Sequence, residues 1–370
     1  MIGLDFFKRD FLLYGDKHLL TAGEALSSGI WIKGEAVRSF EHQWAEYCGT
    51  SYSLGVGNGL DAIELGLQAI GIGDGDEVIT TSMTAFATTL AIINRGAIPV
   101  FADIDPETCC INVQSISKCL TRRTKAVLAV HLYGRPLEVD DIAAFCRGHS
   151  IDFIEDCAQS HGAKWQGVSV GSFGTFSAWS FYPTKNLGAL GGDAGALCSN
   201  NKELVEKCRA LSNYGQDRQY EHNQRGRNSR LDEIHASILC QRLSSLNEWI
   251  LTRRSIAARY RNEIQNTHIT LLRDEEPNTF HSYHQFVVKC RRRDKLKSHL
   301  EKNGIFTVIH YPIPCHQQKA LGMSSDVLIE LPNTERHAAE CLSLPIHHMM
   351  REDEVDIVIR ACNSFKANIL

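Results

Sequence analysis

The segment Ser177-Ala-Trp-Ser-Phe-Tyr-Pro-Thr-Lys185-Asn-Leu-Gly188 joins an apolar run to a glycine-rich turn. The apolar residues 174–181 are typical of a buried β-strand. Such a strand fixes the backbone of the turn that follows it, so that the amine of Lys185 can face a cleft. Burial beside Trp179 and Tyr182 favours the neutral amine, which is the nucleophilic form of a lysine.

A second segment, Glu155-Asp156-Cys-Ala-Gln159-Ser-His161-Gly162, follows an apolar strand that begins at residue 152. A carboxylate such as Asp156 can pair with a pyridine nitrogen, and Gln159 can donate a hydrogen bond to a phenolic oxygen. A Schiff-base lysine and a carboxylate against a pyridinium nitrogen are the minimum that a protein contributes to pyridoxal phosphate chemistry. The two segments therefore predict pyridoxal 5′-phosphate as cofactor and Lys185 as the catalytic residue.

A glycine-rich loop, Gly55-Val-Gly57-Asn58-Gly59, runs into a helical pattern. Backbone amides at the N-terminus of a helix bind anions, so this loop is suited to the phosphate of the cofactor. A glycine turn before a helix is a common feature and would be weak support by itself. Ser180, just before the lysine, offers a hydroxyl to the same phosphate.

The composition is that of an ordinary globular protein, and the net charge of −4 gives no electrostatic reason to expect nucleic acid or an anionic membrane as partner. The N-terminus carries charge too early for a secretory signal, and no apolar run approaches the length of a membrane span.

Thirteen scattered cysteines without a Cys-x-x-Cys pair indicate reduced thiols in the cytoplasm. We expect no metal site. The run Arg291-Arg-Arg293 is interpreted as solvated surface.

Short β-rich runs alternate with helical stretches between about residues 50 and 200. The expected strands are 77–81, 98–103, 126–131, 152–155, 176–181 and 194–198, and the expected helices are 61–69, 85–95 and 140–148. This alternation predicts an α/β fold with a largely parallel sheet and helices on both faces. Ligands in such folds bind beyond the carboxyl ends of the strands, where Asp156 and His131 fall. We assign residues 1–245 to this large domain.

Residues 232 to about 264 show helical periodicity over a span longer than an average helix, and they are predicted to lead from the large domain to a smaller one. Residues 282–289 and 306–311 are expected to be strands. Residues 294–302 and 355–365 are expected to be helices. These elements predict a small α+β domain over residues 246–370.

The motifs in this order resemble the fold-type I pyridoxal-phosphate enzymes, specifically the DegT/DnrJ/StrS family of sugar aminotransferases. The resemblance runs essentially from end to end of the chain. The matching segments are residues 29–34, 59–62, 99–105, 131–134, 155–162, 180–188, 213–215, 226–233 and 310–314.

The resemblance implies a role for individual residues. Lys185 would form the Schiff base with the cofactor and carry the proton during transfer. Asp156 would hold the pyridine nitrogen, and Gln159 would hold the ring hydroxyl. In the family an aromatic residue usually stacks on the cofactor ring at the position of Ala85, and here only its neighbour Phe86 is aromatic.

The phosphate site would be shared between two subunits. Gly59, Leu60 and Ser180 would bind the phosphate within one chain, and Asn228 would reach it from the other. The resemblance therefore implies a homodimer with shared active sites.

The segment 181–190 resembles the branch of the family that acts on 3-keto sugars, because the 4-keto branch usually has histidine in place of Tyr182. The implied function is transfer of an amino group from L-glutamate to a TDP-3-keto-6-deoxyhexose. Tyr182, Tyr220 and His310 would bind the sugar nucleotide.

Three alternatives stay open at this point. The protein could act on a 4-keto nucleotide sugar, it could be a non-catalytic cofactor-binding or sensory protein on the same fold, or it could be a lyase on an amino acid. A dehydratase is disfavoured, because dehydratases of the family replace the lysine with histidine.

Overall fold

The computed structural model describes residues 1–3, 6–321 and 329–367. Its α-helices are α1 (Phe6–Ser27), α2 (Glu35–Cys48), α3 (Gly59–Ala69), α4 (Phe86–Asn94), α5 (Val113–Ser117), α6 (Val139–His149), α7 (Lys202–Leu211), α8 (Glu233–Leu243), α9 (Leu246–Glu263), α10 (Arg293–Lys302), α11 (Pro332–Glu340) and α12 (Glu352–Ser364). Its strands are β1 (Tyr52–Val56), β2 (Glu77–Thr81), β3 (Ile98–Ala102), β4 (Thr124–Val130), β5 (Asp152–Asp156), β6 (Lys164–Trp165), β7 (Val168–Ser169), β8 (Phe176–Ser180), β9 (Gly195–Ser199), β10 (Gln216–Arg218), β11 (Glu221–His222), β12 (Thr270–Leu271), β13 (Phe286–Lys289) and β14 (Cys341–Leu344). Within these ranges, no helix combines the length and the apolarity that a membrane span requires.

Seven strands form the main sheet in the order β1-β9-β8-β5-β4-β2-β3. The five strands from β8 to β3 are parallel, whereas β9 and the edge strand β1 are joined by antiparallel pairings. The inner strands are buried along almost their whole length, as expected for strands that are covered on both faces. The predicted α/β fold with a largely parallel sheet is confirmed. The carboxyl ends of β4, β5 and β8 lie at one edge.

Helix α3 packs on this sheet through a glycine. Gly66 faces Phe176 of β8 so closely that a Cβ at position 66 would lie 2.3 Å from the ring. Leu65 and Leu67 are buried in the same hydrophobic cluster. This close packing holds the N-terminus of α3 beside the end of β8, where the lysine-bearing turn begins.

A second, antiparallel sheet has the order β12-β13-β14. It shares a hydrophobic core with α9, α10 and α12, and this core contains Tyr260, Phe286 and Leu300. The first residues of the chain also lie here, because Ile2 forms a β-bridge with Ile305. The boundary at residues 245 and 246 stays a prediction.

Two expectations for this part of the chain are wrong. The long helix over residues 232–264 is two helices, α8 and α9, separated at Ser244 and Ser245. Serine hydroxyls compete for backbone hydrogen bonds, and the Ser244 hydroxyl donates to the carbonyl of Gln241 at 2.8 Å. Residues 306–311 do not form a strand, since only Val308 pairs, through a single bridge to Ser343.

Candidate active site

Lys185 lies in the turn that follows β8. The turn is closed by backbone bonds from Lys185 N to the Tyr182 carbonyl (2.8 Å) and from Ala189 N to the Phe181 carbonyl (2.7 Å). The side chain is half-buried. Burial lowers the pKa of Lys185 to about 8, and the carboxylates of Asp156 and Asp193 act in the opposite direction. The predicted reactive lysine therefore loses its proton far more easily than an ordinary lysine, although two acids lie near it.

Asp156 ends β5 and is 4% exposed. Burial raises the pKa of this carboxyl above its usual value, although two hydrogen bonds oppose the rise. The Ala158 amide donates to Oδ1 at 3.0 Å, and the Thr88 hydroxyl of α4 donates to Oδ2 at 2.8 Å. A buried carboxylate in this setting favours a cationic partner, and a protonated pyridine nitrogen fits that requirement.

Gln159 is fixed at both ends of its amide group. Its Oε1 accepts from the backbone amide of Tyr133 at 2.8 Å, and its Nε2 donates to the hydroxyl of Tyr311 at 2.9 Å. One N–H of the amide remains for a further acceptor. This is the donor that the predicted contact to a ring hydroxyl requires.

The N-terminus of α3 has the geometry of an anion site. The Asn58 side chain caps the helix by accepting from the Asp61 amide at 2.8 Å. The amides of Gly59 and Leu60, at the start of the helix, have no acceptor among the described residues. A Cβ at position 59 would lie 2.8 Å from the Cβ of Ser180. Glycine is therefore required there, and the Ser180 hydroxyl is brought beside the helix N-terminus. The three predicted phosphate ligands lie together, so these residues fit the cofactor.

Asn228 lies in an extended segment that packs against the same helix. Its neighbours face inward, since Arg227 bonds to Asp61 at 3.0 Å and the Ser229 hydroxyl accepts from the Gly57 amide at 3.0 Å. Side chains alternate along an extended backbone, and Asn228 is correspondingly exposed. Its contact with the phosphate of a second subunit stays a prediction.

Phe86 begins α4 directly after Ala85, which is the residue before the helix. Its half-buried ring packs against Phe101, Cys315 and Leu331. Its contact with the cofactor ring stays a prediction.

His310 contributes to a cavity of about 320 Å³ that includes Thr184, the residue before the lysine. Its Nδ1 shares a 2.8 Å hydrogen bond with the Ser343 hydroxyl. Burial, with the nearby charge of Lys185, lowers the pKa of His310 to about 4. Tyr182 and Tyr220 point into solvent, with 51% and 83% of their surface exposed. Of the three predicted sugar ligands, His310 lines this cavity together with Thr184, whereas Lys185 itself does not line it.

Several residues of this site were missed from the sequence. Thr88, Tyr133 and Tyr311 hold Asp156 and Gln159 in place, yet they come from distant segments of the chain. His284 lines the cavity beside His310, and burial holds its pKa well below the usual value. Tyr133 and Tyr311 did have a signal, because they lie in the matching segments 131–134 and 310–314.

His131, Glu155 and Cys157 place one potential metal ligand each within 4.8 Å of one another. Glu155, however, already accepts bonds from the amides of Gly171, Phe173 and Gly174 at 2.7–2.9 Å, and it lies 3.1 Å from His131 Nε2. We interpret the cluster as a hydrogen-bonded support for the end of β5.

Comparison with known proteins agrees with this geometry. A curated dTDP-3-amino-3,6-dideoxy-alpha-D-galactopyranose transaminase from Aneurinibacillus thermoaerophilus is 43% identical over 342 residues, which is 92% of this chain and 93% of the relative. A protein named pleiotropic regulatory protein, from Geobacillus stearothermophilus, is 40% identical over 344 residues and 92% of each chain. A crystal structure of DesV from S. venezuelae in complex with a ketimine intermediate superposes with a TM-score of 0.93 at 37% identity, covering 96% of both chains.

The family model of the DegT/DnrJ/EryC1/StrS aminotransferases matches residues 14–363, which is nearly the whole chain. The aminotransferases of this family depend on pyridoxal phosphate, so the expected cofactor is confirmed. The expected reaction class, amino-group transfer, is confirmed with it. The chain belongs to the DegT/DnrJ/EryC1/StrS aminotransferase family.

Proposed function

We propose that the protein transfers the amino group of L-glutamate to the C3 keto group of a TDP-3-keto-6-deoxyhexose. The product is a TDP-3-amino-3,6-dideoxyhexose for a glycan such as an O-antigen. The observation that carries this proposal is the half-buried Lys185 held beside Asp156 at the carboxyl edge of the sheet. The name of the Aneurinibacillus relative supports position 3 of the sugar as the site of amination.

Each residue of the site has a separate chemical role. Pyridoxal phosphate, when bound, supplies the electron sink that makes the donor's carbon-bound proton acidic. The pKa of Lys185, about 8, is close enough to neutral pH for the amine both to accept and to donate that proton. Asp156, held by Thr88 and the Ala158 amide, keeps a negative charge where the cofactor nitrogen would lie. Gly59, Leu60 and Ser180 anchor the phosphate.

The sugar is proposed to enter the cavity that contains Thr184 and His310. At neutral pH His310 is uncharged, because its pKa is about 4, and its ring is oriented by Ser343. A neutral imidazole at this place can hydrogen-bond a hexose hydroxyl without attracting the anionic pyrophosphate. Tyr182 and Tyr220, which are exposed, are proposed to cover the sugar nucleotide when it binds.

We propose that the active protein is a homodimer in the cytoplasm. Asn228 faces outward and is available to the phosphate site of a second copy. A series of large apolar side chains is exposed along α1 and just after it: Phe11, Leu12, Leu13, Leu19, Leu20, Ile30 and Trp31. So many exposed large apolar side chains on one helix favour a second subunit as their cover. Sedimentation of an active monomer at assay concentration would contradict the shared site.

The thirteen cysteines are all free thiols, in keeping with a reducing compartment.

The decisive experiment measures each half-reaction separately. Purified protein is incubated with L-glutamate, and the cofactor absorbance is followed until it converts. The aminated form is then mixed with the gluco or the galacto isomer of the TDP-3-keto-6-deoxyhexose, or with a 4-keto nucleotide sugar. We expect recovery of the original spectrum and an amino sugar only with a 3-keto substrate. Recovery only with the 4-keto sugar would establish the alternative branch.

A regulatory function is the second candidate, because a relative at 40% identity is named a pleiotropic regulatory protein. The presence of Lys185 in a reactive setting favours catalysis. A protein that binds the cofactor but whose spectrum does not change with L-glutamate or any keto sugar would support the regulatory function. A spectrum that changes with an amino acid but with no sugar would support a lyase.

A further inference from the structure

A large cavity lies on the C-terminal part of the protein, between the end of β13 and helix α11. Its volume is about 790 Å³, which is within the usual range for small-molecule sites. Its lining includes Lys289, Arg291, Arg292, Arg336 and a single carboxylate, Glu340. The side chains of Lys185, Asp156 and the other predicted cofactor ligands do not contribute to it. It is therefore separate from the candidate active site.

The described part of the chain does not balance the positive charge of this cavity. Four cationic side chains face one carboxylate, in a chain whose net charge is −4. Among the residues that the structure describes, the amine of Lys289 donates only to the carbonyl of Pro106, at 2.7 Å. In residues 1–3, 6–321 and 329–367, no carboxylate pairs with Arg291, Arg292 or Arg336. Arg293, next in the chain, shows the contrast, because it pairs with Asp294 at 2.5 Å.

The wall of the cavity reaches towards the active site. His337 lines it and is 2% exposed. Its Nε2 lies 3.0 Å from the hydroxyl of Tyr133, whose backbone amide holds Gln159 at 2.8 Å. Two residues therefore separate the cavity from a predicted cofactor ligand.

We infer that this cavity is a second binding site, and that its ligand is an oligophosphate such as the di- or triphosphate chain of a nucleotide. Guanidinium groups bind phosphate oxygens through paired, charge-assisted hydrogen bonds. Three such groups and one amine provide the charge that a diphosphate or a triphosphate needs. The run Arg291-Arg-Arg293, interpreted from the sequence as solvated surface, thus contributes two of its members to a ligand site.

The test is calorimetric titration of the cofactor-loaded protein with inorganic pyrophosphate, comparing the wild type with the double variant Arg291→Ala/Arg336→Ala. Arg360→Ala, which removes an exposed arginine of α12, is the matched control. Each lost guanidinium contact weakens phosphate binding by about tenfold or more. We expect the double variant to lose one pyrophosphate per chain from the fitted stoichiometry, while the control keeps it.

Parallel titrations distinguish the sources of the anion. Inorganic phosphate should bind more weakly than pyrophosphate, and a nucleoside triphosphate should bind more tightly than pyrophosphate if the base also makes contacts. Unliganded melting temperatures of both variants are measured to show that they are folded. Equal pyrophosphate stoichiometry and affinity in the wild type and the double variant would overturn the inference. So would the absence of any pyrophosphate binding to the wild type. Neither result bears on the aminotransferase proposal, because no active-site residue is altered.

Discussion

Replacing Thr88 with valine tests how the carboxylate of Asp156 is held. The Thr88 hydroxyl donates to Oδ2 at 2.8 Å, and both side chains are buried. Valine preserves the shape of threonine, so the change removes one hydrogen bond to a buried acid. Such a bond to a charged group contributes about 1.5–3 kcal/mol. At 1.36 kcal/mol per unit, the pKa of Asp156 should rise by a further 1–2 units, roughly.

The assay is titration of the cofactor-free protein with pyridoxal phosphate. We expect the Kd to rise about 10- to 100-fold at a pH where Asp156 of the cofactor-free protein is protonated, because only its anionic form pairs with the protonated ring nitrogen and the variant must ionise a carboxyl of higher pKa. Burial already raises the pKa of this carboxyl in the folded protein. Above the folded pKa the carboxylate is already ionised in both proteins before the cofactor binds, so the difference in Kd shrinks as the pH rises through that pKa. The free energy of unfolding in urea should show the opposite trend, because the bond from Thr88 stabilises the carboxylate: the variant loses most stability above the folded pKa and less as the pH falls through it.

Thr175→Val is the matched control. The Thr175 hydroxyl donates to Asp152 at 2.7 Å, at the opposite end of the same strand β5. This variant should unfold somewhat more easily but should bind the cofactor like the wild type. If Thr88→Val also binds pyridoxal phosphate with unchanged Kd, the carboxylate does not depend on Thr88 and the reasoning is refuted.

Four further outcomes are expected. Lys185→Ala should lose the visible cofactor absorbance and all transamination, and borohydride labelling of another lysine in the wild type would contradict this assignment. Reconstitution of the cofactor-free protein should accelerate about tenfold per pH unit up to pH 8 and then level off, because the pKa of Lys185 is about 8 and only the neutral amine reacts; a flat rate from pH 6 to 8 would argue against this lysine. Gly59→Ala should lower the free energy of unfolding, measured by denaturant titration, by about 1–3 kcal/mol and should weaken cofactor binding. Gly148 lies in α6, where an added Cβ would meet open space, so Gly148→Ala should raise the free energy of unfolding by about 0.5–1 kcal/mol. Tyr182→Phe and His310→Ala should slow the keto-sugar half-reaction about five- to a hundredfold and leave the L-glutamate half-reaction nearly unchanged; equal losses in both would indicate a structural role.

The parts of the fold that were predictable are those set by local patterns. Strands β2, β4 and β5 each contain a short apolar run, and their observed bounds differ from the expected ones by at most two residues. Lys185 and Asp156 were predicted as site residues because each lies within a few residues of the end of such a strand. Strands buried in a parallel sheet are rich in apolar residues, so the end of each strand, and the residues that follow it at the sheet edge, could be inferred from the sequence.

What could not be predicted depends on contacts between distant segments. Thr88 and Asp156 are 68 residues apart, and Gln159 and Tyr311 are 152 apart. No local pattern shows that Thr88 contacts Asp156, and the motif around Tyr311 gave no indication that its hydroxyl accepts from Gln159. The break between α8 and α9 had a local cause in two serines, but the apolar periodicity continues through it and concealed the boundary.

The edge strand β1 also bears on how the chain is made. It pairs with β9, and the closest of these pairs, Val56 with Gly195, already lies about 140 residues apart. During synthesis at about 5–20 residues per second, β1 leaves the ribosome roughly 7–30 seconds before its partner. For that time an apolar strand is available to other nascent chains. A slow stretch of translation between residues 56 and 195 would prolong this exposure, and the yield of native protein should fall as chaperone capacity becomes limiting.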